Sequence, residues 1–242
     1  MPLEAVLLDY GDTLFRFNYD EPAHVTSLAR LLEVLGETET SSRCLFDEVD
    51  RRFWDALAEM ADDVEIDYPG VVRESLAAVG IPRVEEDALL RALHAAHRSW
   101  DANREVHPQS HELLSALREE GLRLGVVSNA FDPSPFLHED LELEGIAPLI
   151  DTAVFSSEVG KRKPHPDIYL EALDRLGAEP SRTLFVGDRV LEDIVGPSRL
   201  GMRTCLTTYY RVDGGDHSLA DHVAAEPMDI LGAVRTEVAG QG

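Results

Sequence analysis

The rhythm of hydrophobic and polar positions changes along this chain, and the changes mark its parts. Ala5-Val6-Leu7-Leu8 is a short apolar run that breaks into Asp9-Tyr10-Gly11-Asp12, the pattern of a buried strand emptying into a polar loop. From about Asp20 to Asn103 the spacing turns purely helical. Asp20-Glu21-Pro22 opens a helix whose face carries Leu28, Leu31, Leu32 and Leu35 before Gly36 stops it. A second helix is predicted over 42–61, with Leu45, Phe46, Val49, Phe53, Trp54 and Leu57 at helical spacing. A third follows near 69–79, closed by Gly80, and a fourth near 84–102. No strand pattern interrupts them.

Strand and helix alternate again from His107. A helix over 108–120 ends at Gly121, and the strand 122–127 leads into Ser128-Asn129. Ala153-Val154-Phe155 is a further strand, followed by a loop and a helix near 166–176. Thr183-Leu184-Phe185-Val186 runs into Gly187-Asp188, with a helix to about Leu200. Weaker strands at 204–208 and 222–224 precede a last helix near 228–238. Short-linked βα units imply a parallel sheet with helices on both faces. The expected fold is therefore a doubly wound, Rossmann-like α/β core, residues 1–15 with 107–242, carrying a helical-bundle insertion over 16–106. Such sheets bind ligands beyond the carboxyl ends of their strands. Asp9, Ser128, the loop of Lys163 and Asp188 all fall at those ends.

Composition narrows the function. Apolar content of 44% and charged content of 28% are those of a soluble globular protein. A formal net charge of −24 repels nucleic-acid backbones and anionic membrane surfaces, while a metal ion and one lysine can reverse that field locally for a small anion. Cys44 and Cys205 form no CxxC pattern, which argues against a disulfide framework or a thiolate zinc site. No early apolar run has the form of a signal peptide, and no run reaches the roughly 18 apolar residues of a membrane span. A cytoplasmic location is expected. Among the basic residues only two are lysines, Lys161 and Lys163, both in Gly160-Lys161-Arg162-Lys163-Pro164. Arginine and lysine exchange poorly where geometry matters, so an ammonium retained here marks the loop.

Asp9-Tyr10-Gly11-Asp12-Thr13-Leu14, Val127-Ser128-Asn129, Lys163-Pro164 and Gly187-Asp188 with Asp193 five residues on resemble the four ordered motifs of the haloacid-dehalogenase-like (HAD) hydrolases. The resemblance covers the whole core, and the helical insertion resembles that family's first type of cap. The residue chemistry points the same way. A strand-end carboxylate, Asp9, can attack phosphorus and form an acyl-phosphate, splitting one displacement into two. Mg²⁺ takes oxygen ligands, one or two carboxylates with waters and phosphate, and Asp9 and Asp188 offer the carboxylates. The resemblance adds the Gly11 carbonyl as a ligand and Asp193 as support for the metal's waters. Ser128 and Asn129 stand where phosphate oxygens are bound. Lys163 would stabilise charge on the transferring phosphoryl and keep Asp9 ionised. Lys161 has no matching role and reads as a solvated neighbour.

One position departs. Most phosphatases of the family place a second Asp two residues after the nucleophile, where it protonates the leaving group; here that residue is Gly11, with Asp12 next to it as a possible surrogate acid/base. Losing a general acid costs about 10²–10⁴ in rate. The expected activity is Mg²⁺-dependent hydrolysis of a small phosphorylated metabolite, slowed by Gly11, in a monomer or homodimer. Two alternatives stay open. Dehalogenases of the family use an Asp nucleophile without metal, but Asp188 argues against that chemistry. A catalytically impaired fold that binds a phosphometabolite or a partner is the other. Schiff-base phosphonate hydrolysis is excluded, since the cap contains no lysine. Phe17, Tyr19, Arg51, Arg52, Trp54, His97 and Trp100 are cap candidates for choosing a substrate, but aromatics at helical spacing are more often core, and none of them is assigned to the site.

Overall fold

A computed structural model describes residues 2–60 and 63–239. The expected end of the second helix at Ala61, and the outer limits of the core at Met1 and Gly242, fall outside them. A six-stranded parallel sheet forms the centre, in the order β5-β4-β1-β6-β7-β8. These strands are β1 (Ala5–Leu8), β4 (Arg123–Ser128), β5 (Thr152–Phe155), β6 (Thr183–Gly187), β7 (Arg203–Thr207) and β8 (His222–Ala224). The fold is α/β, Rossmann-like. Every residue of β1 is fully buried, as expected for a central parallel strand covered on both faces.

The two faces separate by the alternation of side chains along each strand. Val6 and Leu8 pack with α5 (Ser110–Glu119), α6 (Ser134–Leu143) and α10 (Pro227–Ala239) through Leu113, Leu141 and Val234. Ala5 and Leu7 pack on the other side with α8 (Pro166–Leu176) through Ile168, Tyr169 and Leu173. Two short helices, α7 (Ser156–Val159) and α9 (Gly196–Arg199), complete the core. Because β1 pairs in parallel with both β4 and β6, the winding reverses there. The crevice of a doubly wound sheet opens at such a point.

Helices α1 (Glu21–Leu35), α2 (Ser42–Glu59), α3 (Tyr68–Ala78) and α4 (Glu86–Arg98) form the insertion, with their own apolar cluster around Leu31, Leu45, Val72 and Leu89. Their ends follow capping chemistry. The Ser41 hydroxyl accepts from the Cys44 N–H, the Asp67 carboxylate accepts from the Gly70 N–H, and Gly36 ends α1 in the left-handed region at φ 79°. The chain enters and leaves this cap through an antiparallel ribbon of β2 (Phe15–Phe17) and β3 (Arg104–Val106), with Arg16 opposite Glu105.

Three features differ from the sequence expectation. The fourth predicted helix stops at Arg98, its expected end forming a turn and the 3₁₀ turn Asp101–Asn103, and the ribbon beyond it had no predicted strand. Helix α6 lies in a stretch with no predicted element. After Asp188 the chain forms a π-helical turn, Val190–Val195, before α9. No helix is long and apolar enough to cross a membrane among the described residues.

Candidate functional site

The parallel register sets the strand ends side by side. Leu8 lies level with Val126 and Val186, so the residues after β1, β4 and β6 emerge on one edge. Asp9 is held there by its N–H, which donates to the Val186 carbonyl at 2.8 Å. Lys163 reaches in from the loop before α8, and its Nζ donates to Asp9 Oδ1 at 2.7 Å and to Asp193 Oδ1 at 2.6 Å. The ring of Phe185 lies beneath the ammonium, 5.3 Å from centroid to Nζ. Asp9, Lys163, Asp188 and Asp193 are all buried.

Asp193 reaches this cluster because of the π-helical turn and Gly187. The Arg189 N–H donates to Asp193 Oδ2 at 2.9 Å, so both of its oxygens are used. A β-carbon on Gly187 would collide with the Asp193 carboxylate; glycine here is a packing requirement. Asn129 clamps the Lys163 backbone from both sides. Its Oδ1 accepts from the Lys163 N–H at 2.6 Å, and its Nδ2 donates to the Lys163 carbonyl at 3.0 Å. Its amide is therefore engaged in positioning Lys163. Ser128 lines the cavity beside it.

Three carboxylates face one ammonium. Oxygens of Asp9, Asp188 and Asp193 lie within 4.8 Å of one another. Burial, and then the negative charges of Asp9 and Asp193, push Asp188 up to about 8 despite Arg211 and Lys163. Burial raises Asp193 to about 6 against the pull of Lys163. Lys163 is raised as well: burial opposes its charge, but Asp193 and Asp9 outweigh burial and hold it cationic. Asp188 Oδ2 lies 3.0 Å from Arg211 Nε, yet it is a buried acceptor without an aligned hydrogen bond. Crowded anionic oxygens with one unsatisfied acceptor fit a hard divalent cation.

Arg211 was not legible from the sequence. It lies beyond β7, the next strand along the same edge, and counting past Thr207 is the signal that would have reached it. Its Nη2 also donates to Asp12 Oδ2 at 2.6 Å. Asp12 has φ 52°, which turns its side chain to Arg211 and makes it half of an ion pair. Gly11 lies between Asp9 and Asp12 on the cavity wall. A β-carbon added there would meet the Phe17 ring at 3.4 Å, ordinary contact. Lys161 forms a backbone bridge with Val64 of the insertion, so the Lys163 loop is tied to the cap.

A cavity of about 520 Å³ opens between this edge and the cap. Phe17, Tyr19, Trp54, His97 and Trp100 line it, as do Phe53, Tyr68 and Phe131. Arg51 and Arg52 do not; they pair on the cap surface with Glu48, Asp55 and Glu74. His97 belongs to a second buried cluster. Fully buried Asp140 of α6 accepts from Tyr10 Oη at 3.1 Å, Arg98 Nη1 at 3.1 Å and Arg104 Nη1 at 2.6 Å, with His97 Nε2 at 2.9 Å. It joins core, ribbon and cap.

Residues 3–201 match the family model of the haloacid dehalogenase-like hydrolases. The chain is 29% identical to the glyceraldehyde 3-phosphate phosphatase of Methanopyrus kandleri, over 96% of this chain and 97% of that protein. It is 36% identical to the phosphoglycolate phosphatase of Escherichia coli K12 over 110 residues, 45% of this chain and 43% of that protein. In fold it is similar to a 2-haloacid dehalogenase from Pseudomonas syringae, with a TM-score of 0.71 and 22% identity, covering 97% of this chain and 98% of that one.

Proposed function

We propose, since the chain belongs to the haloacid dehalogenase-like hydrolase family, that it hydrolyses the phosphate monoester of a small metabolite with Mg²⁺ as cofactor. The observation that carries this reading is the Asp9–Lys163–Asp193 cluster with the unsatisfied Asp188 oxygen beside it. The phosphatase names of the sequence relatives support it. Asp9 and Asp188, with the Gly11 carbonyl and Asp193 in support, would hold Mg²⁺, which supplies neutralising charge for phosphoryl oxygens when bound.

An Asp9 oxygen attacks phosphorus, the bond to the ester oxygen breaks, and an aspartyl-phosphate forms. The departing oxygen keeps the electron pair and takes a proton from solvent, because Gly11 carries no acid. Water then attacks the aspartyl-phosphate, releasing inorganic phosphate and the Asp9 carboxylate. Lys163 holds Asp9 in place and donates to the charge that builds on the phosphoryl group. Asn129 fixes the lysine by its backbone, and Ser128 offers a hydroxyl to a phosphate oxygen. Asp12 accepts from Arg211 Nη2, which turns its carboxyl toward that guanidinium.

The test is phenyl phosphate turnover with Mg²⁺ and with EDTA. Turnover lost on chelation and restored by Mg²⁺ supports the reading. Phosphate release indifferent to EDTA, or halide release from a 2-haloacid under chelation, would sink it in favour of the dehalogenase chemistry.

A further inference from the structure

The cavity's two walls differ in what they can recognise. On the core side lie the phosphate-facing groups. On the cap side three large apolar side chains are left in solvent: Phe17 is 46% exposed, Trp54 57% and Tyr19 70%, and all three border the cavity. Behind them the Phe131 ring stands 4.9 Å from both Phe53 and Tyr68, and Trp100 lies 5.4 Å from His24. Exposed apolar groups bordering one pocket mark a ligand surface. No arginine or lysine of the cap helices lines the cavity among the described residues.

The cations near that wall are already taken. Burial lowers His24 and disfavours its charged form. His97 has Asp132 on Nδ1 and Asp140 on Nε2, and Arg104 is bound to Asp140 and Asp101. Asp50, which accepts from Trp54 Nε1 at 3.0 Å, adds a negative charge instead. Arg162, Arg189 and Arg211 line the cavity from the core side, paired with Glu65, with Glu192, and with Asp12 and Asp188. A carboxylate on the leaving group would therefore lose water at the cap wall and meet no cation of the cap helices. An aromatic ring would meet stacked and edge-on partners.

A second, independent feature points the same way. With Gly11 in place of an acid, esters whose leaving oxygen departs readily without protonation are favoured. We infer that this site, granted the phosphatase reading above, takes monoesters with a flat, uncharged, aromatic leaving group in preference to short phosphorylated carboxylic acids.

Both tryptophans of the chain border the cavity, so binding can be read from intrinsic fluorescence apart from turnover. In the Mg²⁺-loaded protein, benzylphosphonate should bind at least about tenfold more tightly than phosphonoacetate, and kcat/KM for 1-naphthyl phosphate should exceed that for phosphoglycolate by at least about tenfold. Trp54→Ala, at an exposed position, should weaken benzylphosphonate binding several-fold, with Trp100 still reporting. Phosphonoacetate binding as tightly as benzylphosphonate, or no effect of Trp54→Ala, would overturn the inference. Tight benzylphosphonate binding with no ester turned over would instead remove the phosphatase reading and leave the ligand class standing.

Discussion

Two buried charged clusters meet at the neighbouring residues Asp9 and Tyr10, and they are built for opposite ends. The cluster at Asp9 sets three carboxylates against Lys163 and leaves an Asp188 oxygen without a hydrogen bond. The cluster at Asp140 sets one carboxylate against Arg104, Arg98, His97 and the Tyr10 hydroxyl, and both of its oxygens are used. Excess negative charge and an idle acceptor leave the first open to a cation and a phosphoryl group. Saturation makes the second a joint. Tyr10 stands next to Asp9, so the joint also braces the loop that carries the nucleophile.

The sharpest way to break the contrast is to neutralise each central carboxylate. Asp9→Asn should lower kcat/KM for phenyl phosphate by at least about 10⁴-fold. Its amide oxygen can still accept from Lys163, so the thermal midpoint should move only a few degrees. Activity surviving this change would remove Asp9 from the chemistry. Asp140→Asn should do the reverse. Removing the charge leaves buried Arg104 and partly exposed Arg98 with Asp101 as their remaining carboxylate, at a cost of about 3–5 kcal/mol, which corresponds to a drop of roughly 10 °C for a chain of this size. Turnover below the transition should largely persist. A midpoint unchanged by Asp140→Asn would show that the joint contributes nothing to holding cap and core together.

A smaller effect separates the clusters by pH. Burial alone would lower His97, but hydrogen bonds with Asp132 and Asp140 outweigh it and push the imidazole up to about 9. A raised folded value means the native state holds the proton more tightly than the unfolded chain does. The resulting stability is complete below about pH 6.5 and is lost as pH rises through about 9, with up to about 3 kcal/mol at stake. Arg98, Arg104 and the Tyr10 hydroxyl face the same carboxylate. Asp188 and Asp193 also bind protons more tightly when folded, so their effect on stability likewise declines with rising pH. The comparison that isolates the joint is therefore wild type against His97→Gln by urea unfolding at pH 6 and pH 9. The wild type should lose more stability between those values than the variant; equal losses would mean that His97 is not charged in the fold.

The first cluster was legible because its residues are local to their strands. Asp9, Ser128 and Asp188 each follow an apolar run, and alternation alone puts those ends on one edge. The joint was not, because nothing in Leu137-His138-Glu139-Asp140-Leu141 distinguishes a buried carboxylate from a surface acid. Prolines at 133 and 135 also obscure the start of α6. The ribbon strands are three residues each, too short for period two to register. Asp193, five residues beyond Asp188, was reached through the family resemblance, and the π-helical turn that swings it under Lys163 leaves no periodic trace. Arg211 lies beyond a weaker strand in a polar loop, where only the tertiary fold gives it a partner.

What the open cluster lacks can be added back at Gly11. A β-carbon there would meet only the Phe17 ring, at ordinary contact distance, and no left-handed φ forbids a side chain. Gly11→Asp therefore introduces a carboxyl two residues after the nucleophile, at the cavity wall. If leaving-group protonation is the missing step, kcat should rise by up to about 10²-fold for alkyl phosphates. It should change much less for 1-naphthyl phosphate, whose oxygen departs without help, so the variant should narrow the preference for aromatic esters. Steady-state kcat for glycerol phosphate against 1-naphthyl phosphate reads the difference directly. An equal gain for both would place the effect on metal or phosphate binding, and no gain for either would show that the loop with Asp12 turned to Arg211 cannot present an acid to the ester oxygen.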